Sequence, residues 1–202
     1  MPYPPQHHAT TRERIIRSAQ ALFHRRGFTA VSIDDVMEHA GLTRGGFYAY
    51  FPAKSDLYVE AVAKGWSQWN GASGNLSASE AAKQLIDAYL SRKSFDDIDT
   101  SCPMVTLPGD VARSGQVVKR AFEGVFIGMV QVFKEALRRD GRPDATLPLA
   151  IVGMCVGAMV VSRSVEDPQL ADGIRAAARQ AALELGGWGD SDDATSSAIA
   201  RD

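Results

Sequence analysis

Apolar residues recur at spacings of three and four along nearly the whole chain, a pattern that places them on one face of successive α-helices. The first helix is predicted over residues 11–26, because Thr10 and Glu13 have capping-box spacing and Gly27 supplies a left-handed C-terminal position. Its apolar stripe comprises Ile15, Ile16, Ala19, Leu22 and Phe23. The sequence therefore predicts an all-α fold.

Two short helices follow the first. Ser32 and Asp35 form a second N-terminal cap, and the helix they open ends at Gly41. Thr43 begins the next helix, which ends before Pro52 because proline cannot continue a helix. A supporting helix and two short helices across a glycine turn make a helix-turn-helix unit. The solvent face of its second short helix comprises Arg44, Gly45, Gly46, Tyr48, Ala49 and Tyr50.

Charge favours a nucleic-acid-binding N-terminal segment. The chain carries a net charge of −2, with 22 Lys and Arg against 24 Asp and Glu, so no global field attracts DNA. Residues 1–55, however, hold seven Lys and Arg against four acidic residues. Arginine pairs with guanine in the major groove, and Lys54 at the start of a helix suits a phosphate. A three-helix core fragment with a solvated polar face is the alternative.

The string SIDDVMEHAGLTRGGFYAYFPAKSDL (residues 32–57) is similar to the DNA-binding domain of the TetR family of bacterial one-component repressors, and the similarity covers roughly residues 10–58. It implies a helix-turn-helix domain at residues 10–54 and, at residues 55–186, a bundle that binds a small effector and dimerises. By position, the implied DNA contacts are Ser32, Thr43, Arg44, Gly45, Gly46, Tyr48, Tyr50 and Lys54. Gly46 replaces a common Thr or Ser, and Ala49 a common base-reading side chain, so base readout is expected to depend on Arg44 and the tyrosines.

Aromatic and methionine side chains in the body of the chain favour a pocket for an apolar or aromatic effector, since helical bundles often leave such a pocket between aromatic stripes. A filled core is the alternative. The predicted lining comprises Trp66, Trp69, Tyr89, Phe95, Cys102, Phe122, Phe126, Met129 and Met159.

Two C-terminal helices are predicted to form the dimer interface. Residues 147–163 are apolar nearly all round and include the small Gly153 and Gly157, and residues 170–185 have one apolar face. They resemble the four-helix dimer interface of the TetR family, whose twofold axis matches a near-palindromic operator in double-stranded DNA. An intramolecular hairpin in a monomer is the alternative. Residues 1–9 are expected to form a flexible arm, and residues 187–202 a disordered tail.

Cys102 is a candidate sensor. It precedes Pro103 at a predicted helix start, where backbone amides favour a thiolate, although Asp96, Asp97 and Asp99 oppose one if they fold nearby. The surrounding segment is similar to one in a TetR subgroup, some members of which sense electrophiles or oxidants through that cysteine. An inert thiol is the alternative, and Cys155 is interpreted as a small hydrophobic residue.

No hydrolase, metalloprotease, phosphate-loop or dinucleotide motif occurs, so we expect neither an enzyme nor a cofactor nor a metal site. The N-terminus lacks a secretory pattern, and the longest apolar stretch is shorter than a membrane-spanning helix. Both observations favour a cytoplasmic protein that does not associate with a membrane. The expected function is a homodimeric repressor released from its operator by a small inducer or by modification of Cys102. The alternatives are a small-molecule-binding or catalytic helical protein, and an activator or nucleoid-type DNA binder.

Overall fold

The computed structural model describes residues 5–70, 76–99 and 102–189, without the side chains of residues 5, 6 and 68–70. These residues contain helices and connections but no strand, which confirms the all-α fold. The helices are α1 (Pro5–Arg26), α2 (Ile33–His39), a 3-10 helix (Arg44–Ala49), α3 (Lys54–Asn70), α4 (Ala78–Tyr89), α5 (Arg92–Asp96), α6 (Pro103–Thr106), α7 (Pro108–Arg113), α8 (Gln116–Arg139), α9 (Leu147–Ser162) and α10 (Pro168–Gly186).

The first helix is longer than its sequence pattern predicts. It begins at Pro5 instead of residue 11, so residues 5–9 of the expected arm are helical, and Thr10 lies inside the helix instead of capping it. Proline suits a first helical turn because its fixed φ matches the helix and its missing N–H is not needed there. The imidazole of His8 also stacks on the ring of Tyr50, which holds the added turn. The structure therefore places residues 5–9, the second half of the expected arm, in α1.

The helix-turn-helix unit forms, and the predicted cap of its first short helix is complete. Ser32 accepts a hydrogen bond from the Asp35 amide while the Asp35 side chain accepts one from the Ser32 amide, which completes the capping box of α2. Gly41 adopts φ +65°, the left-handed conformation that the turn requires. The second short helix is a 3-10 helix opened by Thr43, whose side chain makes no capping bond.

The chain divides into two compact units. One contains the described residues up to 70 together with 92–99 and 102–129, and the other contains 76–91 and 130–189. The helix-turn-helix elements thus cluster with α3 and with the segment from α5 into α8, instead of separating after residue 54. Within this first unit α6 packs against both α1 and α3.

The second unit is built on α9, which packs along α10, and on α4, which also contacts α10. The described fold of this unit continues past residue 185, where the apolar pattern of its last predicted helix ends. Gly187 closes α10 with φ +71°, and Trp188 then folds back, 8% exposed, with Nε1 donating to Asp140 over 2.9 Å. The expected tail therefore begins later than residue 187, because a glycine cap returns the chain onto the unit and buries a large indole. Residues 190–202 lie outside the described part.

Candidate DNA-binding surface

The 3-10 helix is anchored by one aromatic ring and presents its polar residues outward. Phe47 is fully buried and packs 5.8 Å from the ring of Phe51, measured between centroids. Tyr48, the next residue, is 60% exposed. Thr43, Arg44, Gly45 and Ala49 are exposed as well, and Gly46 is half-buried. The residues predicted to read bases therefore share one accessible surface, which we call the reading surface (residues 43–50).

Arg44 is oriented by an acidic neighbour. Its Nη1 donates a hydrogen bond of 2.8 Å to Oδ2 of Asp34 on α2. The side chains are 67% and 53% exposed, and exposed pairs of this kind contribute only about 0–1 kcal/mol. The pair can therefore be broken at small energetic cost.

Ser32 is committed to capping. Its hydroxyl accepts from the Asp35 amide at 3.0 Å, and its own amide donates to the Asp35 carboxylate at 2.7 Å. Hydrogen bonds from the Ser32 side chain and backbone, followed by one from Arg26, lower the pKa of Asp35 to about 2. A stable carboxylate at the start of α2 interacts favourably with the positive end of the helix dipole. This cap therefore fixes where the unit's first short helix begins.

Tyr50 is held by a residue that sequence reasoning placed in the arm. The rings of His8 and Tyr50 are stacked, with centroids 4.5 Å apart and planes at 29°. His8 is exposed, so an imidazole from α1 borders the reading surface. A local pattern could not reveal this pair, because residues 8 and 50 meet only through the packing of the domain.

Lys54 is turned towards the protein. Its Nζ donates to the Val31 carbonyl at 2.6 Å and lies 4.4 Å from the centroid of the Phe28 ring. Burial lowers the pKa of Lys54, while the negative charges of Asp110 and Asp35 act in the opposite direction. The predicted phosphate ligand is thus half-buried among partners of its own chain.

Asp110 of α7 reaches the same region. Its Oδ2 accepts a hydrogen bond of 3.3 Å from the Thr29 amide. Gly27, with φ +80°, faces this carboxylate so closely that a β-carbon on it would lie 2.1 Å from Oδ2 of Asp110. Sequence reasoning missed Asp110, since only the fold brings residues 27, 29 and 110 together.

The predicted effector-pocket residues are divided between the two units. Trp66, Phe95, Phe122 and Phe126 in the first unit are half-buried, whereas Cys102 and Met129 in that unit are buried. Tyr89 and Met159 are buried in the second unit, and the side chain of Trp69 lies outside the described part. Trp66 is closely packed, because a β-carbon on Gly128 would lie 2.8 Å from its indole.

The two cysteines differ in their surroundings. Cys102 is 2% exposed and occupies the N-cap position of α6, as its sequence context predicts, although its side chain makes no capping bond. Cys155 is buried in α9, and burial raises the pKa of its thiol to about 12. The structure shows no disulfide between them.

The second unit presents large apolar side chains to solvent. Leu149 and Val161 of α9 are 45% and 49% exposed, and Leu170 and Leu185 of α10 are 51% and 44% exposed. Gly153 and Gly157 on α9 are exposed as well. Small and apolar residues together suit close packing by another helix.

The described part of the chain contains neither a membrane-spanning helix nor a cluster of metal ligands. Its helices include none that is long and apolar enough to cross a membrane. Within the same residues, no three His, Cys, Asp or Glu side chains converge to hold a metal ion.

Comparison with known proteins identifies relatives of the helix-turn-helix segment and of the longer chain. The family model "Bacterial regulatory proteins, tetR family" matches residues 15–61. An uncharacterized HTH-type transcriptional regulator of Mycobacterium tuberculosis (strain ATCC 25618 / H37Rv) is 31% identical over 170 residues, which cover 77% of this chain and 86% of that protein. The HTH-type transcriptional regulator TtgR of Pseudomonas putida is 40% identical over 52 residues, 26% of this chain and 24% of TtgR.

Solved structures share the fold. A TetR-family regulator from Agrobacterium tumefaciens superposes with a TM-score of 0.71 at 18% identity, over 86% of this chain and 98% of that one. The reduced form of Escherichia coli NemR superposes with a TM-score of 0.68 at 17% identity, over 84% of this chain and 95% of NemR.

Proposed function

Because the chain belongs to the TetR family of bacterial regulatory proteins, as its resemblance over residues 32–57 implied, we propose that it is a homodimeric repressor that an effector releases from its operator. The chain is a helix-turn-helix transcriptional regulator, like its relatives, which are regulators and not enzymes. The repressor role, the dimer, the effector and the individual contact residues are the parts we propose.

The reading surface is the observation that carries this proposal. Arg44 and Tyr48 are exposed on one helix that the buried Phe47 anchors, so an arginine fork and a phenol would enter a groove of DNA together. Arginine bonds guanine in the major groove, and tyrosine hydroxyls bond phosphates. Thr43 and Tyr50 add hydroxyls at the two ends of this helix, while Gly45 and Gly46 let the backbone approach DNA closely.

Dimerisation through α9 and α10 is supported by the apolar side chains that a single chain leaves exposed there. Two helices from each protomer would form a four-helix interface, and its twofold axis would place two reading surfaces on a near-palindromic duplex. The exposed glycines of α9 permit close helix contact.

The effector is proposed to act on the first unit in one of two ways. A small apolar or aromatic inducer would bind among the aromatic side chains that line α3 and α8, where Trp66, Phe122 and Phe126 are half-buried. Alternatively, an electrophile or oxidant would modify Cys102, which lies at the start of α6 against α1 and α3. Either event shifts the population from the state that binds DNA towards one that does not, by an amount set by how differently it affects the free energies of the two states. Helix α3 would transmit this shift to the reading surface.

DNA binding also supports a cytoplasmic location, because the bacterial chromosome lies there. A helical small-molecule-binding protein without specific DNA affinity is the competing function. The salt dependence of DNA binding distinguishes the two functions. A DNA-binding regulator contacts phosphates and releases counterions, so its affinity for DNA falls as salt rises.

The experiment is selection of duplexes by the purified protein from a random library, followed by anisotropy titration of a selected and a scrambled duplex at two salt concentrations. We expect selective, salt-dependent binding that Arg44→Ala with Tyr48→Ala abolishes. Arg120→Ala, which removes an exposed arginine of α8, should bind as the parent does. If the double variant retained selective binding, the reading surface would be assigned to the wrong helix.

A further inference from the structure

The N-terminal part of α1 packs against the C-terminal end of the reading surface. The imidazole of His8 stacks on the ring of Tyr50, with centroids 4.5 Å apart. At the next position on the same face of α1, the guanidinium of Arg12 lies 4.7 Å from the centroid of the Phe51 ring. Residues four apart lie one above the other on a helix, so a single face of α1 contacts two consecutive aromatic residues.

The backbone at Tyr50 is fixed by its neighbours. Phe51 is 1% exposed, and its ring centroid lies 5.8 Å from that of the buried Phe47. Arg12, which covers the ring of Phe51, also forms an ion pair with Glu60 of α3. The Tyr50 amide donates to the Phe47 carbonyl at 2.9 Å. The position of the Tyr50 phenol therefore depends on the torsions of its own side chain.

His8 restricts those torsions. A surface side chain samples several staggered rotamers, and the side chain of Tyr50 is only half-buried. A ring stacked on one face favours one rotamer, because aromatic pairs are attractive beyond the area that they bury. A phenol that is ordered before DNA binds loses less entropy when it bonds a phosphate, so the stack should increase affinity.

The adjacent histidine has a different environment. Nδ1 of His7 lies 3.4 Å from Oγ1 of Thr11, within α1 itself, whereas His8 contacts the reading surface. Both histidines are exposed. The pair therefore offers a comparison between an imidazole that stacks on the reading surface and one that bonds within its own helix.

We propose that His8 is a positioning residue for DNA binding, which stacks on Tyr50 and holds the phenol where its hydroxyl bonds a DNA phosphate. This inference rests on the proposed function, because it assigns Tyr50 a phosphate contact in the DNA complex. Helix α1 thereby takes part in shaping the DNA-binding surface. His8 acts through the tyrosine and not through a contact of its own with DNA.

The test is a double-mutant cycle of His8→Ala and Tyr50→Phe, measured by anisotropy titration of a duplex that the protein selects. Tyr50→Phe keeps the ring on which His8 stacks and removes the hydroxyl that would bond the phosphate. We expect His8→Ala to weaken binding about two- to tenfold, the range for an aromatic pair. In the Tyr50→Phe background, His8→Ala should leave the affinity unchanged. A merely structural role of His8 would weaken binding equally in both backgrounds and would overturn the inference.

His8→Phe should rescue binding, because it keeps a ring for the stack and removes the imidazole nitrogens. Helix propensity cannot produce this pattern, since histidine and phenylalanine have similar propensities and alanine has a higher one. His7→Ala is the matched control and should bind as the parent does. Unchanged binding by His8→Ala would overturn the inference. A loss in His8→Phe as large as that in His8→Ala would also overturn it, since the imidazole itself would then be required.

A measurement without DNA separates this inference from the proposed function. The NMR signal of the His8 Hε1 proton is assigned by its loss in His8→Ala, and it should be shifted upfield by the ring current of Tyr50. At constant pH, Tyr50→Ala should move this signal downfield and leave that of His7 in place. An unmoved His8 signal would refute the stack and overturn the inference alone, even if the protein selected a duplex. If the signal moved but no duplex were selected, the proposed function would fail, and this role of His8 would fail with it.

Discussion

Nη1 of Arg44 donates a 2.8 Å hydrogen bond to Oδ2 of Asp34. The arginine proposed to read a base is therefore paired within its own domain in the absence of DNA. The pair links the 3-10 helix to α2 across the turn at Gly41. Because both side chains are exposed, it orients Arg44 without holding it strongly.

Asp34→Ala should therefore increase affinity for a selected duplex by up to about fivefold, the equivalent of an exposed ion pair worth about 0–1 kcal/mol. Glu38→Ala removes the same charge from an exposed position on α2 and controls for the general electrostatic effect. Anisotropy titration measures both. Equal gains in the two variants would show that charge alone is responsible.

Two glycines of α8 should respond oppositely to alanine. A β-carbon on Gly128 would lie 2.8 Å from the Trp66 indole, so Gly128→Ala should lower the free energy of unfolding by about 1–3 kcal/mol through overpacking. Gly124 has nothing within 4 Å of that position, so Gly124→Ala should raise it by about 0.5–1 kcal/mol through helix propensity. Urea denaturation measures both, and a neutral Gly128→Ala would mean that Trp66 moves aside readily.

The capping carboxylate of α2 should contribute to acid sensitivity. Because the folded pKa of Asp35 is lowered to about 2, its stabilisation is complete above the unfolded value near 4 and is lost as pH falls towards 2. Asp35→Asn should therefore reduce stability at pH 7 and lessen the dependence of stability on pH between 4 and 2. Urea midpoints across this range measure it, with Asp56→Asn as a variant that removes a charge from α3. An unchanged acid limb would contradict the capping assignment.

The cysteines provide a test of the sensor alternative. If modification of Cys102 releases DNA, N-ethylmaleimide should release a selected duplex from the parent and from Cys155→Ser but not from Cys102→Ser. Cys155 should stay unmodified in the folded protein at pH 8, because its thiol has a pKa of about 12 and is buried. Equal release from all three proteins would remove Cys102 from the mechanism and leave the inducer as the proposed effector.

Much of the local structure follows from short sequence patterns. The capping box at Ser32 opens α2 where its spacing predicts, and α9 begins at residue 147, the predicted start of that helix. Such signals are readable because a cap, a glycine turn and an apolar stripe act over a few neighbouring residues. The specific string at residues 32–57 likewise indicated the family that the relatives confirm.

The longer start of α1 and the folded Trp188 were missed for a common reason. His8 is stabilised by Tyr50, and Trp188 by Asp140 and the ring of Phe133, and all of these partners are distant in sequence. A polar or glycine-rich segment stays disordered only when it has no surface, distant in sequence, to pack against. Here stacking and burial offset the entropy of ordering these residues.

Local sequence thus decided which residues are helical, where most helices begin and end, and which side chains form the reading surface, because those properties depend on neighbours within one or two turns. Tertiary structure decided which partners the charged side chains of that domain contact. Arg44 pairs with Asp34 across a turn, and Lys54 is directed inward, where its Nζ donates to the carbonyl of Val31, 23 positions earlier in the chain. Long-range packing alone places such charges together, since a charge responds to whatever lies within a few ångströms regardless of its position in the sequence.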